Sequence, residues 1–282
     1  MTSRTLSFAK YEGLGNDFIV VDGLHAEVCG LDRDVVTLLC DRHRGIGADG
    51  VLLVGQKNGQ PFMTIHNADG SEPEMCGNGL RCVALYVNEK KLTVGDVFVI
   101  DTPAGPHTCR LLDDASLVEV QMREVSYDPK SLPLNASAPW IEEEISVGGH
   151  TFHATALSIG NPHVVIFEAF LPDDQRVIGH ALEHDPRFPR GVNVNFATVQ
   201  GASLNLRVWE RGVGFTEACG TGACATAAAA VKTGRLSNKE PIELRLPGGI
   251  VSVRVRSEGE PLSMTGPARH VFSGAMTLED NA

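Results

Sequence analysis

Two short stretches carry the most chemistry in this chain. EMCGNGLRC spans residues 74–82 and EACGTGAC spans 217–224; both read E-x-C-G-x-G with a second cysteine close behind. The lead cysteines, Cys76 and Cys219, stand about half of the 282-residue chain apart. The thiolate is the reactive form of cysteine, and a helix N-terminus lowers a thiol's pKa by favouring negative charge. Glycines beside the cysteine let the backbone turn sharply and leave N–H groups uncovered, a setting in which a carboxylate docks. A thiol and a carboxylate nest therefore coincide twice. If the two halves face one another, one substrate carboxylate meets both nests, with a sulfur on either side of its α-carbon. Inverting a stereocentre needs a base on one face and an acid on the other, and a thiolate/thiol pair can exchange those roles. Fixed N–H dipoles aimed at the carboxylate stabilise the charge that builds as the α-proton leaves.

Other readings compete. A single buried cysteine in a glycine turn is often only a small hydrophobe, but two in matched contexts argue for a shared task. A zinc site would use Cys76/Cys82 and Cys219/Cys224, although these spacings put the second cysteine inside a helix rather than on a knuckle. Cys82 and Cys224 read better as core residues. A Cys/His hydrolase would take His163 as partner and would leave the second motif unexplained.

The elements around the motifs must position them. Runs such as TLSFAKYE, DFIVVD, VLLV, FMTIH and VFVIDT, then HVVIFE, LNLRVWE, IELRLP and IVSVRV, are strand-like, and several alternate apolar and polar residues. Gly and Asx clusters between them suit antiparallel hairpins. LDRDVVTLLCDRH (31–43) has helical spacing behind a capping Asp. LRCVALYVNEKK (80–91) and ACATAAAAVKTG (223–234) follow the C-G-x-G turns and are apolar around most of their circumference, as buried helices are. The expectation is an α/β protein of the α+β type. It has two pseudosymmetric domains, each a mostly antiparallel sheet wrapped around a central buried helix. The Pro-containing stretch SLPLNASAPW (131–140) reads as a linker or a surface loop.

A chain of 282 residues suffices for two cores, and 43% hydrophobic with 21% charged residues is ordinary for a globular protein. The net charge of −11 argues against a nucleic-acid or acidic-membrane surface. MTSRTLSFAKYEGLGNDF lacks the apolar core of a signal peptide, and no run approaches a membrane span. Seven scattered cysteines, an odd number, read as free thiols of a cytoplasmic chain.

GLGNDF (13–18), HNADGSEPEMCGNG (66–79), IGNPH (159–163), VNVNF (192–196), ERGVGFTEACGTGA (210–223) and GPARHVFSG (266–274) together resemble diaminopimelate epimerase, in the same order along nearly the whole chain. The resemblance implies an isomerase that interconverts LL- and meso-diaminopimelate, without pyridoxal phosphate, metal or other cofactor, in lysine and peptidoglycan precursor synthesis. It implies an N-terminal domain of residues 1–121 completed by 266–282, a C-terminal domain of 122–265, and a homodimer.

By position, Cys76 and Cys219 match the two acid/base thiols. Gly77, Asn78, Gly220 and Thr221 match the groups that hold the carboxylate beside the reacting carbon. Asn16, Asn67, Asn161 and Asn193 match substrate-binding amides, and Glu210 and Arg211 a charged pair suited to an ammonium and a carboxylate. His163 and Glu210 match groups that influence the thiol pKa. Gly50 stands where some relatives carry glutamine, and Phe215 where glutamate is common. The rival reading is a proline racemase or hydroxyproline epimerase. Those motifs typically place His after the first Cys-Gly and Ser-Pro before the second, where this chain has Asn78 and Glu217-Ala218.

Overall fold

The computed structural model describes residues 3–23, 31–73, 75–114, 116–257 and 259–279. Cys29, one of the seven cysteines, and Glu74, the first residue of EMCGNGLRC, lie outside the described residues. The chain divides into two compact units, Met1–Val120 with Gly266–Ala282, and Gln121–Thr265.

In the first unit, β1 (Ser3–Gly13) and β2 (Asn16–Asp22) form a hairpin, and the C-terminal strand β17 (Arg269–Glu279) pairs antiparallel with β1. A crossover containing α1 (Arg33–Cys40) returns the chain to β3 (Gly50–Lys57), parallel to β2. β4 (Gln60–Asn67) turns back antiparallel on β3. The second crossover is α2 (Gly77–Glu89), after which β5 (Val97–Thr102) lies parallel to β4. β6 (Gly105–Leu111) and β7 (Leu117–Gln121) close the set as an antiparallel meander.

The second unit repeats this plan. β8 (Glu143–Val147), β9 (His150–Ser158) and β10 (Pro162–Ile166) are antiparallel neighbours. α3 (Pro172–Glu183) leads to β11 (Asn193–Gln200), parallel to β10, and β12 (Ser203–Glu210) pairs back on β11. The short β13 (Gly214–Thr216) precedes α4 (Gly220–Lys232). β14 (Ile242–Leu246) then runs parallel to β12, and β15 (Gly249–Arg254) and β16 (Ser263–Pro267) complete the meander. Both units thus show the same succession of pairings: two antiparallel, one parallel, one antiparallel, one parallel, two antiparallel. In this alignment β17 takes in the first unit the place that β8 holds in the second. Each C-G-x-G turn opens the helix of the second parallel crossover.

These helices are buried for different reasons. α2 covers its surface with Leu80, Cys82, Val83, Leu85 and Val87, whereas α4 is nearly all alanine from 223 to 230 and lets neighbouring strands approach its backbone. Both begin inside the C-G-x-G turn rather than after it. α1 is capped by Asp32, whose carboxylate accepts from the Val35 N–H at 3.0 Å. α3 was not among the expected helices. The 131–140 stretch is neither a linker nor a surface loop throughout: Leu132, Leu134 and Trp140 are buried in the second core with Phe152, Ile178 and Phe188. Among the described residues no helix is long and apolar enough to cross a membrane.

Candidate active site

Cys76 and Cys219 are themselves the N-caps of α2 and α4, in nearly identical extended backbone conformations (φ −138°, ψ 114° and φ −132°, ψ 107°). Each sulfur accepts a hydrogen bond from the N–H of the second glycine, Gly79 or Gly222, at 3.4 Å. Each cysteine carbonyl accepts the first helical bond, from Leu80 and from Ala223, at 2.9 Å. The N–H groups at 77–78 and 220–221 head the two helices without an intrahelical acceptor, the setting in which anions bind. A thiol is a poor capping group and a thiolate a good one, so helix and sulfur share an interest in negative charge.

Around Cys76 the polar groups form a chain with a defined sense. Arg81, fully buried, donates to Asn78 Oδ1 at 3.0 Å; Asn78 Nδ2 donates to Asn16 Oδ1 at 3.2 Å; Asn16 Nδ2 donates to Asp49 Oδ2 at 2.8 Å. A guanidinium can only donate and a carboxylate only accept, so the two ends fix both amides. Asn16 consequently turns its oxygen to the Cys76 sulfur, 3.9 Å away. Asp49 is held by Arg42 at 2.9 Å, and Arg42 also grips Asp17, which pairs with the buried Lys10 at 2.6 Å.

The second unit presents the equivalent groups around Cys219. Asn161 Nδ2 donates to Thr221 Oγ1 at 3.3 Å, and Thr221 Oγ1 lies 3.6 Å from Cys219 Sγ. His163 Nε2 bonds Asn161 Oδ1 at 3.1 Å, and its Nδ1 faces Asn195 Nδ2 at 3.1 Å. Burial holds the His163 imidazole down at about 3, so it is neutral. Burial pushes the Cys219 thiol well above its ordinary value, and the Glu210 carboxylate adds to this, while Thr221 and the Gly222 N–H act in the opposite direction. Burial also raises Glu210, whose Oε1 accepts from Thr216 Oγ1 at 2.6 Å.

The family model described as diaminopimelate epimerase matches residues 8–127 and 155–271. The chain belongs to the diaminopimelate epimerase family. It is 44% identical to the diaminopimelate epimerase of Synechocystis sp. over 276 residues, covering 95% of this chain and 98% of that one. It is 41% identical to the Desulforudis audaxviator enzyme of that name, covering 95% and 98%, and 40% to the chloroplastic one of Oryza sativa, covering 97% and 81%. Among solved structures the fold is shared with a hydroxyproline epimerase from Agrobacterium vitis (TM-score 0.68, 15% identity, 99% and 93% covered). A phenazine biosynthesis protein of the PhzF family from Bacillus anthracis shares it as well (TM-score 0.68, 14% identity, 97% and 99% covered).

Within this epimerase family chain, the residues marked by sequence fall into two groups. Asn16, Gly77 and Asn78 gather at Cys76, and Asn161, His163, Glu210, Gly220 and Thr221 gather at Cys219. Asn67 instead bonds Ser71 Oγ at 2.9 Å within its own turn. Asn193 is buried, donates to Pro162 O at 2.8 Å and accepts from the Arg211 N–H at 3.0 Å. The Arg211 guanidinium donates to Arg190 O at 2.9 Å and lines a 420 Å³ open pocket with Glu183, His184 and Arg190. A Cβ at Gly50 would sit 2.6 Å from the His66 carbonyl oxygen, so no side chain fits there with this backbone. Phe215 stacks edge-on against Trp209 and lies under Arg207. Sequence reasoning passed over Asp49, Arg81 and Asn195. Arg81 and Asn195 stood inside quoted motifs and Asp49 in none, and nothing in the pattern indicated that their side chains reach the site groups. Among the described residues no three His, Cys, Asp or Glu side chains gather as a metal site, and Cys82 and Cys224 are buried inside their helices.

Proposed function

We propose that the protein is a diaminopimelate epimerase that inverts one α-carbon of LL-2,6-diaminopimelate to give the meso isomer. Cys76 and Cys219 serve as the proton-exchanging pair. One sulfur, as thiolate, removes the α-proton; the other, as thiol, returns a proton to the opposite face; the reverse reaction exchanges their roles. The N–H groups at 77–78 and 220–221 hold the carboxylate beside that carbon and stabilise the negative charge it gains in the transition state. Glu210 receives an ammonium, and Asn16, Asn67, Asn161, Asn193 and Arg211 complete recognition of a substrate with two ammonium and two carboxylate groups. The chemistry calls for no cofactor, because the sulfurs move the proton and the helix termini carry the charge. The observation that supports this most is the matched pair of sulfur-capped helices at the same step of a duplicated topology. A cytoplasmic homodimer is part of the reading; Val271 and Phe272 on β17 are exposed apolar side chains that a second copy would cover.

The test is α-proton exchange from LL-diaminopimelate in D₂O, with proline assayed in parallel. Deuterium should enter diaminopimelate alone, and Cys76→Ala and Cys219→Ala should each lower turnover at least about a hundredfold, as loss of a general acid or base does. Full activity in Cys219→Ala would sink the two-base scheme, and turnover of proline alone would move the substrate to the racemase class.

A further inference from the structure

Asn195 is fully buried on β11, next to the site groups of the second unit, and has no assigned role. Its Nδ2 donates to two partners, the Val164 carbonyl oxygen at 3.2 Å and His163 Nδ1 at 3.1 Å. Its Oδ1 is buried and, among the described residues, meets no hydrogen-bond donor. That oxygen instead abuts Gly222, where a Cβ would come within 2.7 Å of it. A buried amide oxygen without a donor costs stability. Turning the amide over would place that oxygen against the Val164 carbonyl oxygen, so the observed orientation is the one the backbone permits.

The consequence is directional. An amide nitrogen only donates, so His163 Nδ1 must be the unprotonated nitrogen and Nε2 must carry the hydrogen. Nε2–H then donates to Asn161 Oδ1, which turns Asn161 Nδ2 to Thr221 Oγ1. With its oxygen already accepting from Asn161, the Thr221 hydroxyl has its hydrogen available for the Cys219 sulfur, 3.6 Å away. We propose that Asn195 is a positioning residue for Cys219, fixing the His163 tautomer and, through Asn161 and Thr221, aiming a hydrogen-bond donor at the sulfur. The relay favours the Cys219 thiolate, whereas the relay at Cys76 ends in an amide oxygen and favours the thiol. The inference builds on the reading of Cys219 as a reacting thiol but predicts its titration, not its turnover.

Two measurements test it without an activity assay. In the wild-type protein, ¹⁵N spectra of the histidine rings should show His163 as the Nε2–H tautomer; the Nδ1–H tautomer would overturn the proposal. The pH dependence of iodoacetamide labelling, read by mass spectrometry on the Cys219 peptide, should move up by about one pH unit in Thr221→Val and in Asn195→Ala, a tenfold loss of thiolate. Because the effect of Asn195 passes through Thr221, the double variant should titrate like Thr221→Val alone. Shifts that simply add, or no shift in Asn195→Ala, would overturn the relay. The wild-type tautomer decides the matter should Asn195→Ala fail to fold. Loss of epimerisation with these titrations intact would count against the two-base scheme and leave the positioning role standing.

Discussion

At the residue scale each sulfur caps a helix and, in the proposed scheme, exchanges a proton, and substitution can separate the two. Serine keeps an acceptor at the cap and is a better capping residue than a neutral thiol, whereas alanine loses the cap at about 1 kcal/mol. Cys76→Ser and Cys219→Ser should therefore retain the wild-type unfolding midpoint while losing epimerase turnover, and the alanine variants should lose both. Equal destabilisation by serine and alanine in denaturant unfolding would mean that the sulfur–glycine bonds carry no capping role. Glu210 supplies a second handle. Its carboxylate opposes formation of a second negative charge at Cys219, so Glu210→Gln should let the thiol ionise at lower pH. Alkylation of the Cys219 peptide should then rise at a pH about one unit below that of the wild type. A curve moved upward would show that Glu210 acts mainly by some route other than its charge.

At the element scale the two crossover helices start alike and tolerate change differently. A Cβ at Gly79 would meet the Leu52 methyl Cδ2 at 3.1 Å, a flexible side-chain end that can give way. One at Gly222 would meet Asn195 Oδ1 at 2.7 Å and Val208 Cγ2 at 2.9 Å, both fixed by their surroundings. Gly79→Ala should be nearly neutral, since alanine's helix preference of about 1 kcal/mol offsets a mild crowding. Gly222→Ala should destabilise by about 1–3 kcal/mol, the usual range for overpacking, and raise the Cys219 titration by displacing Asn195. Thermal unfolding of the two variants side by side checks the contrast. The C-G-x-G turns and their buried helices were legible in sequence because paired glycines mark a tight turn and an all-round apolar surface marks a helix enclosed by the core. The capping role of the cysteine was not, because cysteine is not among the usual capping residues. Asn195 was hidden by strand alternation: VNVNF reads as a strand, but which partner its amide meets depends on the parallel pairing of β11 with β10, which the α3 crossover between them sets. α3 carried a start signal in Pro172 with Asp173 and Asp174 in its first turn, and Ile178 and Leu182 behind it form the stripe that is buried. The 131–140 stretch misled because its leucines and tryptophan are separated by prolines and small residues that suggest a loop, and only the core they enter shows why they are apolar.

At the scale of the whole molecule, one plan is executed twice and then made asymmetric by a few polar residues, and this has a consequence for stability. His163 is neutral in the folded protein because burial holds its pKa down at about 3, against about 6.5 for an exposed histidine. Between those values the unfolded chain binds a proton that the folded chain refuses. Stability supplied by this group is therefore complete above about pH 6.5 and declines as pH falls towards 3, by about 2 kcal/mol between pH 7 and pH 5. At the equivalent place in the first unit stands Phe18, which pairs with the start of β3 as His163 pairs with the start of β11. Both tryptophans, Trp140 and Trp209, belong to the Gln121–Thr265 unit, so intrinsic fluorescence reports its unfolding selectively. Urea unfolding followed by fluorescence at pH 7 and pH 5 should show the wild type losing about 2 kcal/mol more than His163→Gln over that interval, whatever the variant's absolute stability. The subtraction cancels the other histidines and the carboxylates. Parallel losses in the two proteins would place a proton on buried His163 without cost, which a neutral ring bonded between two asparagine side chains does not allow.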